Sequence, residues 1–241
     1  MKKITLIAIA LTMASLAAQA QGLVGFANTI NAGTKISVNS TTGGTATGLM
    51  PAGAGNFYFA LFYSTTATTV EGSALSLIPQ VGNNEAASWV WSDANWHFAG
   101  NGGPYNDNGT MFTSSGYAQS TSTAGRLAGL APDAVGGLAG GASAQFVVVG
   151  WSSNLGSTWG AVQTLINSGG PSVAGSYYLG ESIVSATLTA GDNSLVLSPS
   201  IFGASGATPG FTLGLVNVPE PSTIALAGLG GLSLLLFRRR K

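Results

Sequence analysis

The sequence contains no cysteine and little charge. None of the 241 residues is cysteine, which excludes disulfide bonds, thiolate catalysis and cysteine-ligated metals together. Charged residues make up 7% of the chain, against about 25% in an average soluble domain. A chain of this composition relies on its packed core alone for stability.

Positive charge is scarce between the two ends of the chain. Within residues 21–217 two basic residues, Lys35 and Arg126, face seven acidic ones, which leaves a net charge of −5. Two cations cannot neutralise a run of phosphates, so nucleic acid is excluded as a partner. The single histidine, His97, excludes the common multi-histidine metal sites.

What the chain does have is glycine and apolar surface. It contains 36 glycines, and 45% of its residues are hydrophobic, including ten Phe, six Tyr and five Trp. That apolar content is enough to bury a core, so we expect a folded domain with long loops rather than a disordered chain. The sequence divides into a leader at 1–20, a body at 21–217 and a tail at 218–241.

The leader has the three parts of a secretory signal peptide. Met1–Lys3 is positively charged, and the stretch from Ile4 to Leu16 is almost entirely apolar. A small-x-small site, Ala18–Ala20, then precedes Gln21. This order predicts export through the Sec translocon and cleavage by signal peptidase between Ala20 and Gln21.

The tail begins with prolines and ends with cations. Its first residues cannot lie in a regular helix because two prolines flank one residue; they are Val218, Pro219, Glu220, Pro221 and Ser222. An apolar stretch from Ile224 to Phe237 follows and predicts one transmembrane helix. At about 1.5 Å per residue this helix spans roughly 21 Å, short of a hydrocarbon core of about 30 Å, so it crosses only marginally, with snorkelling arginines or a thinned bilayer. The chain closes with four cations that are expected to stay in the cytoplasm, Arg238, Arg239, Arg240 and Lys241.

This tail resembles the PEP-CTERM sorting signal of Gram-negative bacteria. In that family an exosortase, a membrane cysteine transpeptidase, recognises the Pro-Glu-Pro motif and cleaves near it. The resemblance implies a transient stay in the inner membrane, then release or attachment at the cell surface, commonly beside exopolysaccharide. An ordinary single-span tail anchor is the alternative.

The body is predicted to be mainly β, an antiparallel sandwich or a jelly-roll-like fold. Its short apolar stretches are separated by Gly, Asn and Ser. The strand candidates are Leu23–Ile30, Lys35–Asn39, Asn56–Ser64, Ala74–Pro79, Ser88–Trp91, Ala144–Trp151, Ser182–Thr189, Ser194–Leu197 and Phe211–Val216. Asn56–Ser64 and Ala144–Trp151 are continuously apolar, which predicts central strands covered on both faces. Ser157 is predicted to cap one helix over Thr158–Asn167, and 40–55, 100–125 and 131–143 are predicted loops.

A second resemblance covers the body. The chain is similar to small PEP-CTERM proteins of unknown activity from Verrucomicrobia-like bacteria. These proteins share a Gly-x-x-x-Phe-x-Asn start, an aromatic strand and a Trp-x-x-x-x-Gly-Ser-Thr motif, represented here by Gly22, Phe26 and Asn28, by Phe57–Tyr63, and by Trp151, Gly156, Ser157 and Thr158. The resemblance implies a β-rich fold and no established chemistry.

Residues able to do chemistry are few. His97 lies four residues after Asp93, with Ser88 and Ser92 nearby, but no Gly-x-Ser-x-Gly elbow supports a hydrolase. Three tryptophans and a phenylalanine surround His97, so a packed, hydrogen-bonded histidine is preferred. Asp93 with Glu85 or Glu181 is an arbitrary choice of glycosidase pair, because sequence alone does not select a pair.

The body contains two further candidate binding sites, one for calcium and one for sugars. An Asn-Asp-Asn turn offers oxygen ligands for calcium in Asn106, Asp107 and Asn108, although such a turn without a metal is the preferred reading. An aromatic group could stack on sugars if it is exposed, but a core position is preferred; its members are Trp89, Trp91, Trp96 and Tyr105. Because they are two residues apart in the predicted strand Ser88–Trp91, the side chains of Trp89 and Trp91 are expected on the same face of that strand.

These observations predict a non-enzymatic, exported surface or matrix protein without a cofactor. The alternatives are a carbohydrate-binding module that uses the Trp89–Tyr105 region, and a secreted hydrolase that uses acids the sequence does not identify. Retention in the envelope and release to the medium are both open.

Overall fold

The computed structural model describes residues 21–28, 34–40, 46–72, 89–100, 116–129, 132–168, 170–171, 175–192, 198–203 and 208–216. The predicted signal peptide, the sorting motif, the transmembrane segment and the basic tail lie outside these residues. Among the residues described, none forms a helix with the length and hydropathy needed to cross a bilayer.

Within the described ranges the chain is mainly β, with one α-helix. The elements in chain order are β1 (Gln21–Val24), β2 (Ser37–Asn39), β3 (Gly48–Leu49), β4 (Phe57–Ser64), β5 (His97–Phe98), β6 (Tyr117–Ser120), β7 (Leu127–Gly129), β8 (Asp133–Ala139), β9 (Ser143–Ser152), α1 (Trp159–Asn167), β10 (Tyr178–Glu181), β11 (Leu188–Thr189) and β12 (Thr212–Leu215). Short 3₁₀ turns lie at Val90–Ser92 and Ser153–Leu155.

The two strands with the most apolar sequences form the centre of the sheet. Strands β4 and β9 pair antiparallel from Phe57 opposite Ser152 to Ser64 opposite Gln145. From this pair the main sheet runs outward as β7-β6-β4-β9-β10-β12-β2-β3, with β5 also beside β4 and β11 beside β9. All of these pairs are antiparallel except β12 with β2.

Both faces of the central pair are covered. Because side chains alternate along a strand, Phe59 and Leu61 point into one core, together with Val24 of β1 and Val135 of β8. Strands β1 and β8 form a separate two-stranded sheet on that side. On the other face Phe62 packs with aromatic side chains and with α1 in a second core. The predicted central positions of β4 and β9 are therefore confirmed, in a sheet packed between a small sheet and a helix.

Several sequence-based elements are confirmed with shifted ends. Strands β2 and β12 lie within Lys35–Asn39 and Phe211–Val216, and β1 covers the first part of Leu23–Ile30. The helix forms as expected, but its cap is Thr158 rather than Ser157, because the Thr158 hydroxyl accepts the Ala161 N–H at 3.3 Å. Ala74–Pro79 and Ser194–Leu197 lie outside the described residues.

The predicted strand at Ser182–Thr189 is wrong over most of its length. Only Leu188–Thr189 is a strand, and the reason is that two serine hydroxyls replace backbone carbonyls beside β9. Ser182 Oγ accepts the Val148 N–H at 3.0 Å, and Ser185 Oγ accepts the Phe146 N–H at 2.9 Å. Side chains that bond to backbone in this way compete with a regular ladder.

The predicted loops at 131–143, 100–125 and 40–55 contain strands. The first holds β8, which the glycine-rich sequence concealed. Between Gln21 and Gly22 the register of β1 jumps from Ala139 to Val135, and Gly137 there has φ +79°. Such a bulge favours glycine because the left-handed region is costly for other residues. Strands β6 and β3 lie in the other two predicted loops.

Candidate functional site

Three buried carboxylates hold backbone amides. Glu181, at the end of β10, is 3% exposed, and its Oε2 accepts the Val90 N–H at 3.0 Å. Asp133, at the start of β8, is fully buried and accepts the Gly116 N–H at 3.0 and 3.2 Å. The oxygens of Asp93 accept the N–H groups of Glu71 at 2.7 Å and Asn95 at 2.9 Å.

Burial makes two of these acids unusually weak. Desolvation raises the pKa of Glu181 to about 8, although the hydrogen bond from Val90 acts in the opposite direction. Burial likewise raises the pKa of Asp133 to about 7, against the lowering effect of backbone hydrogen bonds from Gly116 and Ala134. Both carboxyls are therefore largely protonated in mildly acidic solution. Each holds one backbone amide in place, Glu181 that of Val90 and Asp133 that of Gly116. Sequence reasoning missed this role, because burial is not visible in a lone Asp or Glu.

The Ser-His-Asp arrangement considered from sequence is not assembled by the described residues. Both carboxylate oxygens of Asp93 bind backbone amides, and the Ser92 hydroxyl donates to the Trp89 carbonyl at 3.1 Å. The His97 ring packs against Tyr63, with ring centroids 5.7 Å apart. Its Nδ1 is buried with no hydrogen-bond partner among the described residues. The expected packing is confirmed, and the expected hydrogen bond is not seen at that nitrogen.

The tryptophans considered for sugar stacking lie in the core where the structure describes them. Trp89 and Trp96 are each 4% exposed and pack in the second core. The predicted strand at Ser88–Trp91 is wrong over its described residues, 89–91. Val90–Ser92 is a 3₁₀ turn, because the Trp89 carbonyl accepts from the Ser92 N–H and the Val90 N–H is held by Glu181. Tyr105 and the calcium candidates Asn106, Asp107 and Asn108 lie outside the described residues, as do Glu85 and the Trp91 side chain.

The residues of the second resemblance have structural roles that the structure explains. Asn28 Nδ2 donates to the carbonyls of Thr34 at 2.7 Å and Gly125 at 3.0 Å, and its Oδ1 accepts the Leu127 N–H at 2.7 Å. Arg126 also donates to the Asn28 carbonyl. These bonds join the segment after β1 to the start of β7, so Asn28 holds together chain segments that are remote in sequence.

The tryptophan motif likewise forms one structural unit. The Trp151 indole N–H donates to the Gly156 carbonyl at 2.9 Å. Gly156 has φ +128°, and a Cβ there would lie 2.9 Å from Ala161 Cβ, so only glycine fits this turn. Thr158 then caps α1. The motif therefore turns the chain from the end of β9 into the helix.

The described body ends at the root of the tail. Strand β12 lies inside the sheet between β10 and β2, and the next residue, Val216, is 4% exposed in the second core. Its N–H donates to the Tyr177 carbonyl at 2.8 Å. The described part of the fold thus reaches to within two residues of Val218, where the tail begins.

Comparison with known families identifies this tail. The PEP-CTERM protein-sorting motif matches residues 217–241. The chain carries a PEP-CTERM sorting signal. The motif indicates an exosortase-targeted protein, and it implies export and sorting to the cell surface. No curated protein and no solved structure matches the chain.

Proposed function

We propose that this chain is a non-enzymatic surface or matrix protein, cleaved by exosortase at Pro219–Pro221 and associated with exopolysaccharide. The observation that carries the proposal is the sorting motif at 217–241, which begins two residues after the end of strand β12 at Leu215. A compact β-rich body attached to a removable tail is what a surface-delivered structural protein requires.

The engagement of the chemically capable side chains supports a structural role. Asp93, Asp133 and Glu181 each bind backbone amides within the fold, and His97 packs on an aromatic ring. Groups held in this way fix chain segments in place. Catalytic acids instead have to reach a substrate at hydrogen-bonding distance.

The start of the fold supports the proposed route of export. Strand β1 begins at Gln21, the first residue after the predicted signal peptidase site. Leu23 N–H then donates to the Gly191 carbonyl at 2.9 Å, and Gly191 N–H donates back to Leu23 at 2.8 Å. Cleavage after Ala20 by signal peptidase would therefore remove the leader and leave the first strand intact.

The low charge density of the body suits a polysaccharide matrix. With two cations and seven acids in residues 21–217, its polar surface consists largely of hydroxyl and amide groups. Such groups hydrogen-bond to sugar hydroxyls and to water alike. We therefore infer that the protein reaches the cell surface, the outer envelope or the extracellular space, after transient anchoring in the inner membrane by residues 224–237.

Intact-mass measurement of the mature protein, recovered from its native host, tests this function. We expect a chain that begins at Gln21 and ends near Pro219–Pro221, with any attached group visible as added mass. A Glu220→Ala variant should accumulate as the uncut, membrane-bound precursor, whereas Glu71→Ala in the body should mature normally. Recovery of a mature protein that still contains Lys241 would refute exosortase processing.

A further inference from the structure

Uncharged polar residues lie at the same end of the sheet as Val216, the last described residue before the tail. We name this surface the exit rim and define it by five residues: Asn56, Ser153, Asn154, Ser176 and Tyr177. The first four are exposed and Tyr177 is half-buried. None of the five carries a charge.

Hydrogen bonds connect the rim to the root of the tail. The Val216 N–H binds the Tyr177 carbonyl at 2.8 Å, and the Asn154 side-chain amide donates to the Ser176 carbonyl at 3.1 Å. The Ser153 N–H donates to the Asn56 carbonyl at 2.8 Å. These bonds link the rim residues to one another along one end of the sheet, and Tyr177 links them to Val216.

The spacing between the rim and the Pro-Glu-Pro motif is very short. Only two residues, Asn217 and Val218, lie between Val216 and Pro219, and the three extended steps from Val216 to Pro219 reach about 10 Å. A folded domain of 100 residues already has a radius of gyration of about 13 Å. An enzyme that holds Pro219 in its active site must therefore touch the folded body at the end from which the tail leaves.

We propose that the exit rim is a docking surface for the extracytoplasmic face of exosortase, and that the body is folded when the tail is cut. This inference rests on the proposed function and adds to it the surface that the enzyme meets. The absence of charge on the rim fits such a partner, since a charge buried without a counter-charge opposes association.

Charge placed on the rim tests the docking. In full-length protein expressed with its exosortase, pulse–chase labelling measures the conversion of precursor to mature protein. We expect Ser153→Asp with Ser176→Asp to slow conversion about tenfold, because the carboxylates lose water without gaining partners. Lysines at the same two positions should also slow it, whereas Ser176→Thr should not.

The other end of β9 provides a matched control. Ser143 and Thr189 are exposed there, with their hydroxyl oxygens 3.2 Å apart. Strand β9 carries this pair about 30 Å from Ser152, at about 3.3 Å per residue. Ser143→Asp with Thr189→Asp should therefore leave conversion within about twofold of wild type, because about 30 Å is several Debye lengths at physiological ionic strength.

A longer spacer separates docking from misfolding. Four residues inserted after Asn217 add up to about 14 Å of reach, so conversion of the rim-charged variant should return close to wild type. A misfolded body would not be rescued by a spacer. Wild-type conversion rates in the rim-charged variants, or equal slowing by the far-end pair, would overturn the docking proposal. If wild type itself is never cut, the proposed function fails instead.

Discussion

The two buried acids should make the folded body less stable as the pH rises. Glu181 has an ordinary pKa of 4.5 that burial raises to about 8, and for Asp133 burial raises the pKa from 3.8 to about 7. Between these values the folded protein binds more protons than the unfolded chain. The free energy of unfolding is therefore greatest below about pH 4, falls as the pH rises, and levels off above about pH 8.

The structure also gives the scale of this loss. One pKa unit corresponds to about 1.4 kcal/mol, so shifts of this size cost on the order of several kcal/mol in total. For a chain of this length 1 kcal/mol moves the melting temperature by roughly 2–4 °C. We expect the melting temperature to fall by at least about 10 °C between pH 5 and pH 9. Tyr63 does not add to this pH dependence, because burial raises its pKa above the ordinary value of 10.0 and the group stays un-ionised up to pH 9.

Calorimetry of the mature protein at constant ionic strength measures this dependence. Glu181→Gln together with Asp133→Asn removes both titrations while keeping an oxygen to accept the Val90 and Gly116 amides, so its curve should be nearly flat. Glu71→Gln, at an exposed position, is the matched control and should retain the wild-type slope. A flat wild-type curve, or an equal slope in the double variant, would refute the assignment of these acids as protonated in the fold.

Three further predictions concern stability. Asn28→Ala should lower the free energy of unfolding by about 3 kcal/mol in a urea titration, since it removes three buried hydrogen bonds, to Thr34, Gly125 and Leu127; an effect below about 1 kcal/mol would contradict its joining role. Trp89→Ala should cost about 3–5 kcal/mol in the same titration, as expected of a core side chain, and unchanged stability with altered glycan binding would contradict that position. A chain ending at Asn217 should melt like the mature protein in calorimetry. A chain ending at Gly210 should not melt cooperatively, because it loses β12 and the buried side chains of that strand. Cooperative melting of the shorter chain would show that β12 is dispensable.

Hydrophobic runs made the centre of the fold predictable. Strands β4 and β9 stand out because Phe57–Tyr63 and Phe146–Trp151 are rich in aromatic or β-branched residues, and burial on both faces leaves no need for alternation. Strand β8 does not stand out, since two glycines in its middle remove the side chains that mark a strand. The prediction for Ser182–Thr189, the segment after β10, was wrong for the opposite reason. Its sequence alternates like a strand, but the hydroxyls of Ser182 and Ser185 bond to the backbone of β9 in place of a regular ladder.

The candidate site was predictable only where it is local in sequence. The sorting motif is a contiguous string, so its residues identify it without a fold. The roles of Glu181 and Asp133 depend on amides 91 and 17 positions away, and no local pattern connects such pairs. The tryptophans are ambiguous for the same reason. The local sequence around Trp89 would be the same whether its side chain lay in a core or on a binding face.

The position of β12 has a consequence for the order of events during export. This last strand occupies the place between β2, near the start of the body, and β10, and it pairs with both. A chain that crosses the membrane from its N-terminus leaves that place empty until residues 212–215 have emerged. The sheet can close only when the sorting segment has itself reached the bilayer. A pause of the tail in the membrane would thus give the body time to complete its fold before the tail is cleaved.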